Sequence, residues 1–482
     1  MSGGVGDARV VVVGAGPAGM AAARAAAEAG APVLLIDSGP GLGGQYHRQN
    51  ALARQERFTL PDGVEHLPDS VVWALEKVPA GHRVHVRTGP ADGPGRRGRS
   101  IDTRALVLAT GAYDRALPFP GWDLPGVTTA GAAQAMAKGQ GVRVGERVLL
   151  AGTGPFLLPV AESLTAVGSR VLGVLEANDP AAGWLTEPAG LLAGRGKTGE
   201  LAGYAALLAR HRIPYRRRST VIEAHGTDRV EAVTWARLDR DWHIVPGSER
   251  RIEADAVCVG FGFTPQLELA VSARCAIRDG FVTVNTAQAT SVPGVFAAGE
   301  LTGIGGAVLS ADEGTVAGTA AARTAGARSA SGARPGPPVR ALRRVRSGGR
   351  FAAALGRAYP VRPGWQGWLR EDTLVCRCEE VCHGALRRAV EERDALGVRS
   401  MKLVSRAGLG PCQGRICGRN VAELTGLPES GVAFARRPLA APLRLSELAE
   451  PPPGAATPEP PAAPAPPTDV TPAPPAPHEE QE

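Results

Sequence analysis

The feature that most constrains this chain lies near its start: Val10-Val11-Val12-Val13-Gly14-Ala15-Gly16-Pro17-Ala18-Gly19, read together with Asp37 some twenty residues later. Four β-branched residues in a row read as a buried parallel strand. The run passes at once into G-x-G-x-x-G and an Ala-rich helix over Met20 to Ala29, closed by Gly30. A second apolar run, Val33 to Ile36, then ends in Asp37. This is a β-α-β unit of the kind that holds a dinucleotide. Gly14 permits the tight turn, Gly16 lets backbone approach a pyrophosphate, and Gly19 brings helix and strand close. The helix N-terminus offers N–H groups and a positive dipole end, and Asp37 can accept from a ribose hydroxyl.

At 482 residues the chain is about three times a typical domain, so two or three cores are expected. The net charge of +7 does not point to nucleic acid. Much of the excess sits in Arg210 to Arg218 and Arg340 to Arg350, with few aromatics between the charges to stack bases, which reads as solvated faces or a linker. No apolar run approaches ~18 residues, so no membrane span is expected. The first hydrophobic run is already the first strand, and the expected location is cytoplasmic. Of the seven cysteines, Cys258 and Cys275 stand alone and five crowd between Cys376 and Cys417. That pattern suggests a metal site more than a secreted disulfide framework.

Beyond Asp37, the loop Gly41-Leu42-Gly43-Gly44-Gln45 suits the diphosphate or isoalloxazine edge of a cofactor. His47 either moves protons beside a flavin or sits on a surface loop. Alternation over Ser70 to Ser100 suggests a small antiparallel ribbon, and Ala105 to Ala112 a buried strand ending in the Thr110-Gly111 turn. Pro118 to Trp122 marks the exit from the first domain. A second unit follows, Val148 to Leu157, with Gly152 and Gly154 but Leu157 in place of the third glycine. Leu157 must move helix and strand apart or force another crossing, so the unit reads as Rossmann-like, with nicotinamide nucleotide binding left open. A hairpin over Thr220 to Arg237 closes it. Ala254 to Pro265 then reads as re-entry into the first domain. Near Gly299-Glu300 the chain ends a short buried strand, which sets the Glu300 carboxylate to accept from a cofactor polyol. Gly305-Gly306-Ala307 opens a helix whose N–H groups can face a flavin's pyrimidine edge.

Taken in this order, the GAGPAG unit with Asp37, the Ala109-Thr110-Gly111 turn, the second glycine-rich unit and Ala298-Gly299-Glu300 resemble the two-dinucleotide-binding-domain flavoproteins, the class of thioredoxin and glutathione reductases. The resemblance covers about residues 7 to 325 and implies FAD on Gly14, Gly16, Gly19, Asp37 and Glu300. One departure matters. Those reductases carry a cysteine pair near the flavin, whereas this chain has no Cys before Cys258, which excludes disulfide reduction by that route.

From Thr324 to Pro338 the composition turns to Gly, Ser, Ala and Pro, a linker, followed by a basic helix from Arg340 and a turn at Pro360 to Gly364. Then come Cys376-Arg377-Cys378 and Cys382, an amphipathic helix, a strand-like Met401 to Val404, and Gly410-Pro411-Cys412-Gln413-Gly414-Arg415-Ile416-Cys417-Gly418. Two cysteine pairs on two loops can converge on one centre. Zinc, a disulfide and a [2Fe-2S] cluster compete for it. C-x-C is tighter than the usual zinc spacing and a disulfide is disfavoured in the cytoplasm, and the cluster is preferred with the help of a resemblance. The arrangement is similar to the small iron–sulfur domain related to bacterioferritin-associated ferredoxin, which implies Cys376, Cys378, Cys412 and Cys417 as ligands. Cys382 is left over at a helix start. The tail from Glu450 to Glu482, nearly all Pro, Ala, Thr and acid, is expected to be disordered.

The whole layout resembles the α (A-type) subunits of multi-subunit amine dehydrogenases: opine oxidase, hydrogen cyanide synthase and dye-linked proline or D-hydroxyproline dehydrogenase. The expected fold is α/β: a discontinuous FAD-binding Rossmann-like domain (7–118 and 251–325) with an inserted NAD(P)-binding-like domain (119–250). A linker and basic helix (326–370), a small α+β [2Fe-2S] domain (371–430) and the tail (450–482) follow. The resemblance implies an electron-transferring subunit whose partners are a flavoprotein β subunit of amino-acid-oxidase type and a small ferredoxin-like subunit, the amine substrate being bound through the partner. Two alternatives are a self-contained NAD(P)H-dependent reductase and a flavoprotein with a structural or regulatory metal module. No catalytic residue is assigned.

Overall fold

The structure is a computed structural model that describes residues 9–50, 58–91, 93–194, 196, 198–328, 332–427 and 432–450. The tail after Glu450 lies outside the described residues.

Strand β1 (Val10–Val13) is buried along its whole length. It leads through Gly16 into helix α1 (Pro17–Glu28), whose proline occupies the first helical turn, where no N–H is needed. The following strands are β2 (Val33–Ile36) and β3 (Val64–Leu67), then the antiparallel trio β4 (Ser70–Val78), β5 (Gly81–Thr88) and β6 (Arg97–Thr103), and then β7 (Ala105–Leu108). β7 runs parallel to β1, with Val10 opposite Ala105. A short strand β8 (Ala112–Asp114) leads out of this layer. Pro118 to Trp122 is irregular, but Phe119 and Trp122 are core residues.

The second layer contains β9 (Val127–Thr129), helix α2 (Ala130–Gln140), β10 (Arg147–Gly152), helix α3 (Leu157–Ala166) and β11 (Arg170–Glu176). Helices α4 (Pro180–Leu185), α5 (Pro188–Ala193) and α6 (Thr198–Arg210) follow, with strands β12 (Tyr215–Arg217), β13 (Ser219–His225), β14 (Ala232–Arg237), β15 (Arg250–Glu253) and β16 (Ala256–Gly260). The parallel sheet runs β12-β11-β10-β16-β9, and β13-β14-β15 form an antiparallel sheet beside it.

Here the expected boundary at 250 is corrected. β16 lies between β10 and β9 in the second sheet, with Cys258 opposite Leu150, so the chain returns to the first layer only after Gly260. A short apolar strand ending in glycine is compatible with either parallel sheet, and only its pairing partner decides. The pairing is intimate at its end, where a β-carbon on Gly152 would lie 1.8 Å from the Gly260 carbonyl oxygen.

The return is made by β17 (Phe263–Pro265), antiparallel to β8, helix α7 (Glu268–Ser272) and the two-residue strands β18 (Ile277–Arg278) and β19 (Phe281–Val282). Strand β20 (Val295–Ala297) then completes the first sheet, β20-β7-β1-β2-β3. Helix α8 (Gly306–Thr324) packs directly on α1. β-Carbons on Gly314 and Gly318 would lie 2.0 and 2.1 Å from the Ala18 and Ala22 carbonyl oxygens, so glycine and alanine set the close crossing.

A long helix and, after it, a packed strap over residues 359–370 lead to the last region. Helix α9 (Val339–Ala358) lies across α8 through an Arg344–Asp312 pair at 2.6 Å. It also lies against α4 and α5, where Gly183 meets Ala358 and Gly190 meets Ala354. Arg343, Arg346 and Arg350 face solvent.

The last region holds β21 (Leu374–Cys376), β22 (Val381–Cys382), α10 (His383–Glu391), α11 (Val398–Ser405) and α12 (Gly418–Thr425). The strand expected over Met401 to Val404 is corrected to helix: Ser400 Oγ accepts the Gly397 N–H at 3.1 Å at its start, and Met401 alone is fully buried. A single buried anchor in an eight-residue turn of chain leaves no clear helical period to read. Helices α13 (Val432–Ala435) and α14 (Leu445–Ala449) carry the chain back to the β4–β6 sheet, where Arg96 grips Glu447 with two 2.6 Å bonds.

Candidate functional site

A cavity of about 1780 Å³ opens at the carboxyl ends of the first sheet. Of the sequence-predicted cofactor residues, Gly14, Gly16, Pro17, Ala18, Asp37, Gly44, Gln45, Thr110, Gly111, Gly299, Glu300, Gly306, Ala307 and Gly154 line it. Gly19 and Gly152 stand behind it as backbone contacts: a β-carbon on Gly19 would lie 1.6 Å from the Gly14 carbonyl oxygen. Gly14 itself has φ +103° and Ala109 O at 2.2 Å from any added β-carbon. Among the described residues, Gly16 has no heavy atom within 4 Å of that position, and the space it leaves belongs to the cavity.

Asp37 holds the turn as well as facing the cavity, accepting the Ala15 N–H at 2.5 Å and the Gly39 N–H at 2.7 Å. Thr110 donates its hydroxyl to the Gln266 carbonyl at 3.0 Å, tying the β7 turn to the return strand. Glu300 Oε1 accepts the Gly306 N–H at 2.9 Å, while its Oε2 is buried with no hydrogen-bond partner among the described residues. Burial pushes this carboxyl up to about 6. A buried acceptor without a donor is costly, and a hydroxyl in the cavity would relieve it. The open face of Gly16 and the orphaned Glu300 oxygen thus fit a dinucleotide with a polyol chain.

Beneath Glu300 lies a residue that sequence reasoning missed. Glu313 accepts the Gly299 N–H at 2.8 Å and the Thr302 hydroxyl at 2.9 Å, and burial pushes it up to about 7. No local signal marks an acid within an Ala-rich helix as buried. His47 packs against Tyr46 and Phe58 and does not line the cavity.

The second unit differs from the first. Leu157 is buried against Gly260, and α3 begins at Leu157, two residues later relative to its glycines than α1 does. Glu176, at the end of β11, is fully buried.

The four candidate ligand cysteines come together from two loops. Cys417 is hydrogen-bonded to both Cys376 and Cys412, and Cys378 to Cys412. Backbone N–H groups of Gly408 and Glu379 face Cys376, and those of Gly414 and Ile416 face Cys412; with the Cys417 bond they hold both thiols below their ordinary range. Cys376 and Cys417 are buried, Cys412 is half-buried and Cys378 exposed. Among the described residues no group of three or more His, Cys, Asp or Glu is arranged to hold a metal ion. Four thiols ringed by backbone donors are nevertheless the donor set a thiolate-bound cluster needs. Cys382 caps α10. Phe434, beyond the expected domain end, braces the loop: β-carbons on Gly408, Gly414 and Gly418 would each lie 2.7 Å from its ring or Cγ.

This loop also touches the cavity, through Gly414, Arg415 and Ile416. Arg415 pairs with Glu268 at 2.7 Å, and Arg115 with Glu423 at 2.6 Å.

Residues 8–326 match the family model for pyridine nucleotide-disulphide oxidoreductase. The opine oxidase A subunit of Rhizobium meliloti is 31% identical over 471 residues, 92% of this chain and 87% of that protein. Hydrogen cyanide synthase subunit HcnB of Pseudomonas aeruginosa is 33% identical over 443 residues, covering 85% of this chain and 90% of that one. In fold the chain is similar to L-proline dehydrogenase from P. horikoshii, with a TM-score of 0.61 at 19% identity over 92% of this chain and 80% of that chain. The cavity, its glycine turn and these matches converge on one assignment: the chain belongs to the pyridine nucleotide-disulphide oxidoreductase family, as an FAD-dependent oxidoreductase related to HcnB and to the A-type component of opine oxidase.

Proposed function

We propose that this chain is the electron-transferring subunit of a multi-subunit amino- or imino-acid dehydrogenase of opine, proline/hydroxyproline or glycine type. It carries FAD on the Gly14–Gly19 turn, Asp37, Thr110-Gly111, Gly299-Glu300 and Gly306-Ala307, and a [2Fe-2S] cluster on Cys376, Cys378, Cys412 and Cys417. A flavoprotein β subunit of amino-acid-oxidase type oxidises the C–N bond, and a small ferredoxin-like subunit is a further partner. The FAD-binding part is the first layer, and the cluster region follows the strap.

The observation that supports this reading most is the shared cavity: its walls include both the dinucleotide glycines and residues 414–416 of the cysteine loop. FAD takes up electrons in pairs, and a [2Fe-2S] centre passes them singly. The protein's part is positional. Glu300 Oε2 would accept from the polyol, Glu313 holds the Gly299-Glu300 turn in place, and Arg415 fixes the cysteine loop against α7. The two relatives above are named as subunits, which agrees with a partner.

The test is anaerobic reduction of the purified chain by dithionite, followed by visible absorbance, EPR and iron analysis. Expected are a bleached flavin and a reduced [2Fe-2S] signal with two irons per chain. Iron-free protein with intact flavin would overturn the cluster.

A further inference from the structure

In a β-α-β dinucleotide unit, the pyrophosphate rests on the N–H groups of the second glycine and first helical turn. The adenosine ribose lies beyond the second strand, against its terminal acid. In the second unit of this chain the ribose place is taken by protein, although Gly154, like Gly16, opens on the cavity. Glu176 Oε2 accepts the Gly154 N–H at 2.9 Å, and its Oε1 accepts the Thr153 hydroxyl at 2.7 Å and the Asn178 N–H at 2.9 Å. The acid that would meet a ribose is thus turned inward and fully buried, and it has consumed the second glycine's N–H.

Asn178 seals the position. Its Nδ2 donates to Thr153 Oγ1 at 2.8 Å and to the Pro360 carbonyl at 2.9 Å, and its Oδ1 accepts from Trp242 Nε1 at 3.2 Å. Pro360 belongs to the strap that follows α9. A few residues on, Trp368 stacks on Trp242 at 6.0 Å and donates to its carbonyl at 2.9 Å. Between them Gly364 is pressed so close to the Asp241 carbonyl that a β-carbon would lie 2.2 Å away. Thr153, Asn178, Trp242, Trp365 and Trp368 are all buried. Among the described residues the first unit has no such cover, and Asp37 faces the cavity.

We infer that the ribose end of the second dinucleotide unit is closed by the chain's own strap, residues 359–368 latched through Asn178, so that the unit binds neither NADH nor NADPH. The matched family's pyridine nucleotide therefore has no seat here, and electrons reach the flavin from a partner. The inference stands whether or not the cysteines hold iron.

The full-length, flavin-loaded protein is tested by equilibrium dialysis against NADH and NADPH and by amide hydrogen exchange with and without millimolar nucleotide. No stoichiometric retention and unchanged exchange over 152–158 and 359–368 are expected. Retention of one nucleotide per chain at micromolar concentration, or nucleotide-dependent exposure of 359–368, would overturn the inference. Asn178→Ala removes two donated hydrogen bonds and is expected to speed exchange over 359–368 about tenfold. Unchanged exchange in a folded variant would also overturn the latch, and the wild-type dialysis decides the matter if the variant does not fold. Iron content and EPR of the same sample report separately on the proposed function.

Discussion

The Arg415 guanidinium donates to the Tyr113 hydroxyl at 3.0 Å, joining a residue between two cysteines to the strand that leaves the Thr110-Gly111 turn. Its Nη2 donates to the Ala440 carbonyl at 2.6 Å, and Glu268 on α7 neutralises it at 2.7 Å. One half-buried side chain thus connects the cysteine loop, the cavity wall and the C-terminal segment. Burial, with Glu268 nearby, pushes the Tyr113 phenol up to about 12, so it stays a neutral partner.

Arg415→Ala leaves the buried Glu268 without its paired cation and with only the Arg437 charge nearby, and should cost about 3 kcal/mol. Urea unfolding of the full chain measures this, and Glu268→Gln in the same background should recover part of it. A loss below about 1 kcal/mol would mean that the pair is not a tether.

Two glycines of one turn should behave differently. Gly14→Ala forces a left-handed φ and a backbone collision, so the apo-protein should lose about 2 kcal/mol or more. Gly16→Ala meets no protein atom among the described residues, so the apo-protein should melt as wild type does while the purified protein carries much less FAD. Unchanged flavin content in Gly16→Ala would remove this turn from the binding site.

Burial raises the Glu313 carboxyl from its ordinary 4.5 to about 7. Glu300 and Asp312 lie nearby, and their charges add to the rise. The folded state then holds a proton that the unfolded chain releases, so apo-protein stability should fall as pH rises from about 4.5 to 7. Glu313→Gln keeps an acceptor for the Gly299 N–H and should flatten that slope, a difference on the order of 3 kcal/mol at pH 8. Parallel slopes for the two proteins would show that Glu313 does not titrate in this window.

Cys378→Ser and Cys412→Ser should each abolish the EPR signal and most of the bound iron, whereas Cys382→Ser should retain both. Iron analysis beside circular dichroism separates cluster loss from unfolding. An iron-depleted Cys382→Ser would bring that residue into the ligand set.

The amino-acid sequence by itself determined the features whose chemistry is local. The Gly14–Gly19 turn and Asp37 are legible because a tight strand-to-helix turn tolerates few residue types at fixed spacing, and the Cys376–Cys417 pattern because thiol spacing limits what can be held. Leu157 likewise announced that the second unit departs from the first. Tertiary structure alone decided which sheet receives β16, since strands of the same apolar character pair equally well until their neighbours are in place. It also decided that Met401 to Val404 is helical, that Glu313 supports Gly299, and that the strap seals Glu176 through Asn178 and Pro360. Arg96 and Glu447 meet across 351 residues. Partners so far apart leave no periodic trace, because burial of a charge or closure of a pocket depends on the whole packed surface around it, and that surface exists only once the layers have docked.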